Sequence, residues 1–115
     1  MISVKNVSKT YNNKKVLDKI DLEIKQGEII SIVGPSGAGK TTLLNIISTL
    51  DKPDVNTLSE LMIDNLDVTN LNDSKLSKFR NTQIGFIFQF HELLPEFSAI
   101  ENVIIPAIIK GENKE

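Results

Sequence analysis

The sequence predicts an α/β fold in which an antiparallel sheet leads into a strand–loop–helix core. Three observations predict it. Apolar and polar residues alternate across Ile2-Ser3-Val4-Lys5-Asn6-Val7 and again at Ile20, Leu22 and Ile24, the period of half-exposed strands. A glycine-rich segment, Gly34-Pro35-Ser36-Gly37-Ala38-Gly39-Lys40-Thr41, separates an apolar run from a helical one. A second apolar run, Ile84-Gly85-Phe86-Ile87-Phe88, has the length and composition of a buried strand.

Taken in order, the first strand ends at the polar turn Asn12-Asn13-Lys14-Lys15, and Gln26-Gly27 turns the chain out of the second. Glu28-Ile29-Ile30-Ser31-Ile32-Val33 reads as a short strand buried on both faces, because it is almost wholly apolar. Thr41 to Leu50 reads as a helix that Lys52-Pro53-Asp54 ends. Leu58 to Ile63 is a strand candidate, followed by an Asp64-Asn65 turn in which asparagine tolerates positive φ. Asp73 is placed to cap a short helix through about Arg80. Ser98 is placed to cap a helix from Ala99, with Glu101 completing a capping box. The polar tail, Lys110 to Glu115, is expected to fray.

The glycine segment matches G-x-x-x-x-G-K-[ST] at each fixed position. Glycines let the backbone curl so that its N–H groups converge on phosphate oxygens. The following helix adds free N–H groups and the positive end of its dipole. Lys40 has the reach and charge for the β- and γ-phosphates, and the Thr41 hydroxyl suits Mg²⁺.

The 115 residues carry 13 basic and 15 acidic side chains, a net charge of −2, which argues against a cationic nucleic-acid surface. Without cysteine there is no disulfide framework and no thiolate metal site. Met1-Ile2-Ser3-Val4-Lys5 does not start a signal peptide, and the apolar stretch Val103–Ile109 is interrupted by Pro106 and too short to span a bilayer. The chain is expected to be soluble and intracellular, reaching a membrane only through a partner. His91, the sole histidine, has no ligand companions; Asp64 and Asp67 read as turn and surface positions; Lys75, Lys78 and Arg80 read as a solvated helix face.

Two further residues gain meaning beside the loop. Tyr11, the only tyrosine, precedes Gly34 by 23 positions, and Gln89 follows the run Ile84–Phe88 at 49 positions after Lys40. Together with the loop they make the chain resemble the nucleotide-binding subunit of ATP-binding-cassette (ABC) transporters. The resemblance runs from Val4–Tyr11 to Ile100-Glu101-Asn102-Val103. Ile84-Gly85-Phe86-Ile87-Phe88-Gln89-Phe90-His91-Glu92-Leu93-Leu94-Pro95 looks most like the branch of lipoprotein-releasing and macrolide-exporter ATPases. The resemblance implies a P-loop NTPase core with an N-terminal antiparallel β subdomain, and ATP and Mg²⁺ as cofactors. It implies that Tyr11 stacks on adenine, that Gly34, Pro35, Ser36, Gly37, Ala38, Gly39 and Lys40 hold the phosphates, and that Thr42 reaches the α-phosphate. Thr41 and Gln89 would attend Mg²⁺, with Gln89 also contacting the attacking water and linking the site to the membrane subunit. The implied partners are a membrane-spanning transporter subunit and a second nucleotide-binding subunit, with no nucleic acid. The implied location is the cytoplasmic face of the cell membrane, and Phe90–Ile109 is expected to face the membrane partner.

The chain also departs from that family's pattern. No Leu-Ser-Gly-Gly-Gln signature, no apolar strand ending in Asp-Glu and no later switch histidine occurs in these residues. The expected core is therefore incomplete. An antiparallel region (about 1–27) would precede the loop and core (about 28–89) and the start of a glutamine-loop region (about 90–115). Asp54-Val55-Asn56-Thr57 stands where a glycine turn is usual, which leaves the register of 58–63 open. ATP binding without turnover by these residues alone is the expectation, because hydrolysis needs a positioned water, a base and further phosphate contacts. Two other readings stay open: a non-catalytic nucleotide- or partner-binding fragment, and another P-loop enzyme such as a small kinase or GTPase.

Overall fold

A computed structural model describes residues 1–55 and 58–111. Asn56 and Thr57 of the departing turn, and the tail Glu112–Glu115, lie outside the described residues. The chain divides into two compact units, Met1–Asn72 and Asp73–Glu115.

The first unit is built on a four-stranded antiparallel sheet of order β2-β1-β3-β4. Its strands are β1 (Ile2–Tyr11), β2 (Lys14–Ile24), β3 (Glu60–Ile63) and β4 (Leu66–Asp67). Asn12 and Asn13 turn β1 into β2 at φ 48° and 62°, and Asp64 and Asn65 turn β3 into β4 at φ 45° and 65°. Asparagine and aspartate reach this left-handed region at low cost, which is why they occupy tight hairpins.

The β1–β2 pairing is bulged. Val4 pairs with Leu22 and Val7 with Ile20, so β1 holds one extra residue there, and Asn6 takes φ 49°. A strict two-residue period would put Val4 and Val7 on opposite faces; the bulge buries both. A matching irregularity follows in β2 at Lys19, also at φ 49°. Side chains satisfy the displaced N–H groups: Asn6 donates to Asp21 Oδ1 at 2.7 Å and Lys19 to Ser8 Oγ at 2.9 Å. The core of the unit is Val4, Val7, Leu17, Leu61, Ile63 and Val68, joined by Leu43 and Ile46 from helix α1 (Lys40–Ile47).

Helix α1 stops earlier than Pro53 suggests. Thr49 takes the left-handed conformation at φ 60°, Leu50 donates to Asn45 O at 2.8 Å and Thr49 to Ile46 O at 3.0 Å. These two bonds make a Schellman stop, with threonine in the place glycine usually fills. Strand β3 likewise starts at Glu60 rather than Leu58, which lies exposed in a turn.

The largest correction concerns the two apolar runs read as buried strands. Residues 28–33 and 84–88 are not in strands. Ile29 is 96% exposed, Val33 87% and Ile87 97%. A strand exists only when a neighbour takes its N–H and C=O groups. Among the described residues no ladder reaches either run. Phe86 and Phe88 still touch, tilted at 46° with centroids 4.5 Å apart, the same-side contact of an extended segment.

The second unit contains α2 (Asp73–Gln83) and α3 (Ala99–Lys110). Asp73 opens α2 inside its first turn, and the helix runs three residues past Arg80. The α3 start is as expected: Ser98 Oγ accepts from Glu101 N, Glu101 Oε2 accepts from Ser98 N, and Gly111 closes the helix at φ 89°. The helix continues through Pro106, whose carbonyl accepts from Asn81 Nδ2 of α2 at 2.9 Å. Asn102 ties the preceding loop down: its amide bonds Leu94 N and the carbonyls of Leu94, Phe97 and Ser98.

Ile46 is fully buried whereas Ile29 is not. Ile46→Ala should destabilise the protein by about 2–5 kcal/mol. Ile29→Lys should change stability by less than about 0.5 kcal/mol and reduce concentration-dependent association. Thermal unfolding and sedimentation velocity of both variants check this; equal loss of stability would place Ile29 in a core.

Candidate functional site

The loop 34–39 joins the run 28–33 to α1, and two of its glycines are required by geometry. Gly37 has φ 79° and Gly39, the residue before the helix, φ 91°. A Cβ on Gly39 would lie 2.9 Å from Leu17 Cδ2, 3.0 Å from Val16 O and 3.2 Å from Val16 Cγ1. Strand β2 is thus the floor under the loop, and only a residue without a side chain fits between them.

No side chain caps the start of α1, and its first turn carries no acidic residue. Leu43 N already bonds Gly39 O at 2.9 Å, so the N–H groups ahead of it face outward, without an intrahelical partner. Lys40 folds back across the loop, its Nζ donating to Gly34 O and Pro35 O at 2.7 Å each. Outward N–H groups, a cation and no carboxylate in the turn are the donor set for an anion with several oxygens. The exposed Thr41 hydroxyl offers a hard oxygen of the kind Mg²⁺ takes. The residues present therefore fit a Mg²⁺-bound polyphosphate.

Tyr11 sits at the end of β1, 41% exposed. Its hydroxyl donates to Asp51 Oδ2. Lys9 Nζ bonds Asp51 Oδ1 at 2.8 Å and Lys52 O at 2.6 Å, and lies 5.0 Å from the Tyr11 ring centroid. Hydrogen bonding to Asp51, loss of solvent and the Asp51 charge push the Tyr11 hydroxyl above its ordinary 10.0; Thr42, which also hydrogen-bonds it, pulls the other way. For Asp51, burial acts to raise the carboxyl, but hydrogen bonds from Lys9, Tyr11 and Lys52 N–H outweigh it and hold it below its ordinary 3.8.

The first unit thus brings together Gly34, Pro35, Ser36, Gly37, Ala38, Gly39, Lys40, Thr41, Thr42 and, through the Thr42 contact, Tyr11. Gln89 belongs to the second unit, in an exposed bend after residues 84–88. His91 is exposed, and the described residues hold no group of three metal-ligating side chains and no helix long and apolar enough to cross a membrane. Sequence reasoning did not single out Lys9 and Asp51. The available signal was the spacing Lys9-Thr10-Tyr11, which puts cation and ring on one side of a strand. Asp51, 40 residues from Tyr11, gives no local sign.

A sequence family described as "ABC transporter" matches residues 17–115. The lipoprotein-releasing system ATP-binding protein LolD of Bacteroides thetaiotaomicron is 57% identical over 111 residues, spanning 96% of this chain and 50% of that protein. LolD of Porphyromonas gingivalis is 51% identical over 115 residues, covering 100% of this chain and 51% of that one. Among solved structures, the dimeric structure of MJ0796, a bacterial ABC transporter cassette, superposes with TM-score 0.89 at 46% identity, covering 100% of this chain and 50% of the other. A post-hydrolysis state of the same cassette bound to ADP and Pi gives TM-score 0.89 at 45% identity and the same coverage. The chain spans about half the length of the curated relatives it matches.

With one tyrosine and no tryptophan in the 115 residues, phenolate absorbance of this polypeptide reports Tyr11 alone. A raised folded value stabilises the protein below 10.0 and the contribution is lost as pH rises through it. The Asp51 contribution has the opposite sense, present above 3.8 and lost as pH falls through the lowered value. The Tyr11 midpoint should lie above 10.0 and fall toward it in Asp51→Asn. A wild-type midpoint at or below 10.0 would mean that the hydrogen bond does not persist in solution.

Proposed function

The chain belongs to the ABC transporter family, and we propose that it holds the nucleotide-binding part of a transporter's ATP-binding subunit. The observation that carries this is the loop 34–39, backed by β2, with Gly37 and Gly39 at positive φ and Lys40 at its mouth. Gly34–Lys40 hold the β- and γ-phosphates, Thr42 reaches the α-phosphate, and Tyr11 stacks on adenine. Thr41 would hold Mg²⁺, which when bound neutralises charge on the phosphate oxygens, and the family resemblance gives Gln89 a role toward the same ion. Gln89 also orients the attacking water and relays the state of the site to a membrane-spanning subunit.

Binding follows from groups within the loop. Lys40 exchanges its two carbonyl acceptors for phosphate oxygens, and a charge-assisted bond replaces each neutral one. Hydrolysis requires more, a base and a second set of phosphate contacts, and in this reading both lie outside the 115 residues, in which neither the Leu-Ser-Gly-Gly-Gln signature nor the Asp-Glu strand occurs. A second ATP-binding subunit supplies contacts of that kind in this reading, so the working unit is a dimer on the cytoplasmic face of a membrane. Two of the relatives, at 51% and 57% identity, are named for lipoprotein release, and the proposal extends to that branch.

Calorimetric titration with Mg²⁺-ATP tests the reading. Lys40→Ala should weaken binding about tenfold or more, since each charge-assisted bond is worth about 1.5–3 kcal/mol. Unchanged affinity in a folded Lys40→Ala protein would overturn the assignment. Phosphate release by the 115-residue polypeptide should not exceed that of its Lys40→Ala variant; turnover that Lys40→Ala abolishes would reveal a catalytic group within these residues.

A further inference from the structure

The side chains around Tyr11 form a linked set that the proposed site does not yet use. Lys9 is nearly buried, its side chain 13% exposed, and Asp51 partly so. An ammonium so placed must be paired, and it is, by the Asp51 carboxylate and the Lys52 carbonyl. The second Asp51 oxygen accepts from Tyr11, and Lys52 N donates to Oδ1 at 2.7 Å. Asp51 is itself fixed, because its N–H bonds Asn45 O of α1 at 3.1 Å. The neighbouring backbone is anchored too: Thr10 N donates to Asp54 Oδ1 at 3.1 Å and Asp54 N to Ser8 O at 2.9 Å.

We propose that Lys9 and Asp51 are positioning residues for nucleotide binding, locking the Tyr11 ring in the orientation that receives the base. The proposal rests on the reading of Tyr11 as the base-stacking residue. A tyrosine at a strand end is held by two torsions alone and points in several directions. The bond to Asp51 removes that freedom and refers the ring to the end of the helix that begins at the phosphate loop. Lys9 performs two tasks. It fixes the Asp51 carboxylate that anchors the Tyr11 hydroxyl, and it covers one ring face at 5.0 Å, leaving the other for the base. Preorganisation of this kind strengthens binding by reducing the ordering a ligand must impose.

The test compares Mg²⁺-ATP with inorganic tripolyphosphate, which has the phosphates but no base, by calorimetry on the intact protein. Asp51→Ala and Lys9→Met should each lose about fivefold to tenfold in ATP affinity while tripolyphosphate binding stays unchanged. Tyr11→Phe, which keeps the ring and loses the hydroxyl, should reproduce the Asp51→Ala loss. In a Tyr11→Ala background, Asp51→Ala should cost nothing further, the mark of two residues acting as one. Equal loss for both ligands would make the set a structural staple and overturn the proposal. An Asp51 effect that persists without the ring would also overturn it. If Tyr11→Ala weakens ATP binding and Asp51→Ala does not, the lock fails and the stacking reading survives. If Tyr11→Ala leaves ATP affinity intact, the stacking reading itself fails and takes the lock with it.

Discussion

Strand β2 leaves no room for a side chain at Gly39: Leu17 and Val16 already occupy the place a Cβ would take. That close approach sets where the loop backbone lies and where α1 begins. Leu43 and Ile46 then fall on the core face, and the end of α1 delivers Asp51 beside Tyr11. The path from a packed strand to the Tyr11 ring passes through backbone at each step. The site is therefore as rigid as the sheet under it, and the bulges at Asn6 and Lys19 belong to its construction. They keep Val4 and Val7 in the core.

The loop 34–39 and its junction with α1 were legible in the sequence because the motif places residue types at fixed spacing. Glycines at positive φ, a lysine and a threonine leave few alternatives. The Ser98–Glu101 capping box was legible for the same reason, being local and reciprocal. The end of α1 was misread because Pro53 is a visible stop and Thr49 is not. A β-branched residue in the left-handed region contradicts its own propensity, and only surrounding packing holds it there. The Lys9–Asp51–Tyr11 set was invisible because Lys9 and Asp51 are separated by 42 positions and brought together only by sheet and helix.

The apolar runs 28–33 and 84–88 failed differently. Hydrophobicity records that a segment has something to gain from burial; it does not record whether a neighbour is present to accept its backbone. Ile29, Val33 and Ile87 carry the composition of interior strands on fully accessible backbone. Such segments are the most association-prone surfaces a protein exposes. The resemblance to relatives twice as long and the exposure of these runs are separate observations, one from identity and one from accessibility.

Helix α1 has eight residues, and its length is a quantity in its own right. Its first residue is set by the loop and its last turn is locked by the left-handed Thr49. One residue more or fewer between them would turn the exit by about 100° and move it by about 1.5 Å. Asp51 would then leave the end of β1, however faithfully every side chain were kept. The helix works as a ruler between the loop 34–39 and the Tyr11 ring. Composition along it is open to drift at exposed positions such as Leu44, whereas insertion and deletion are closed to it.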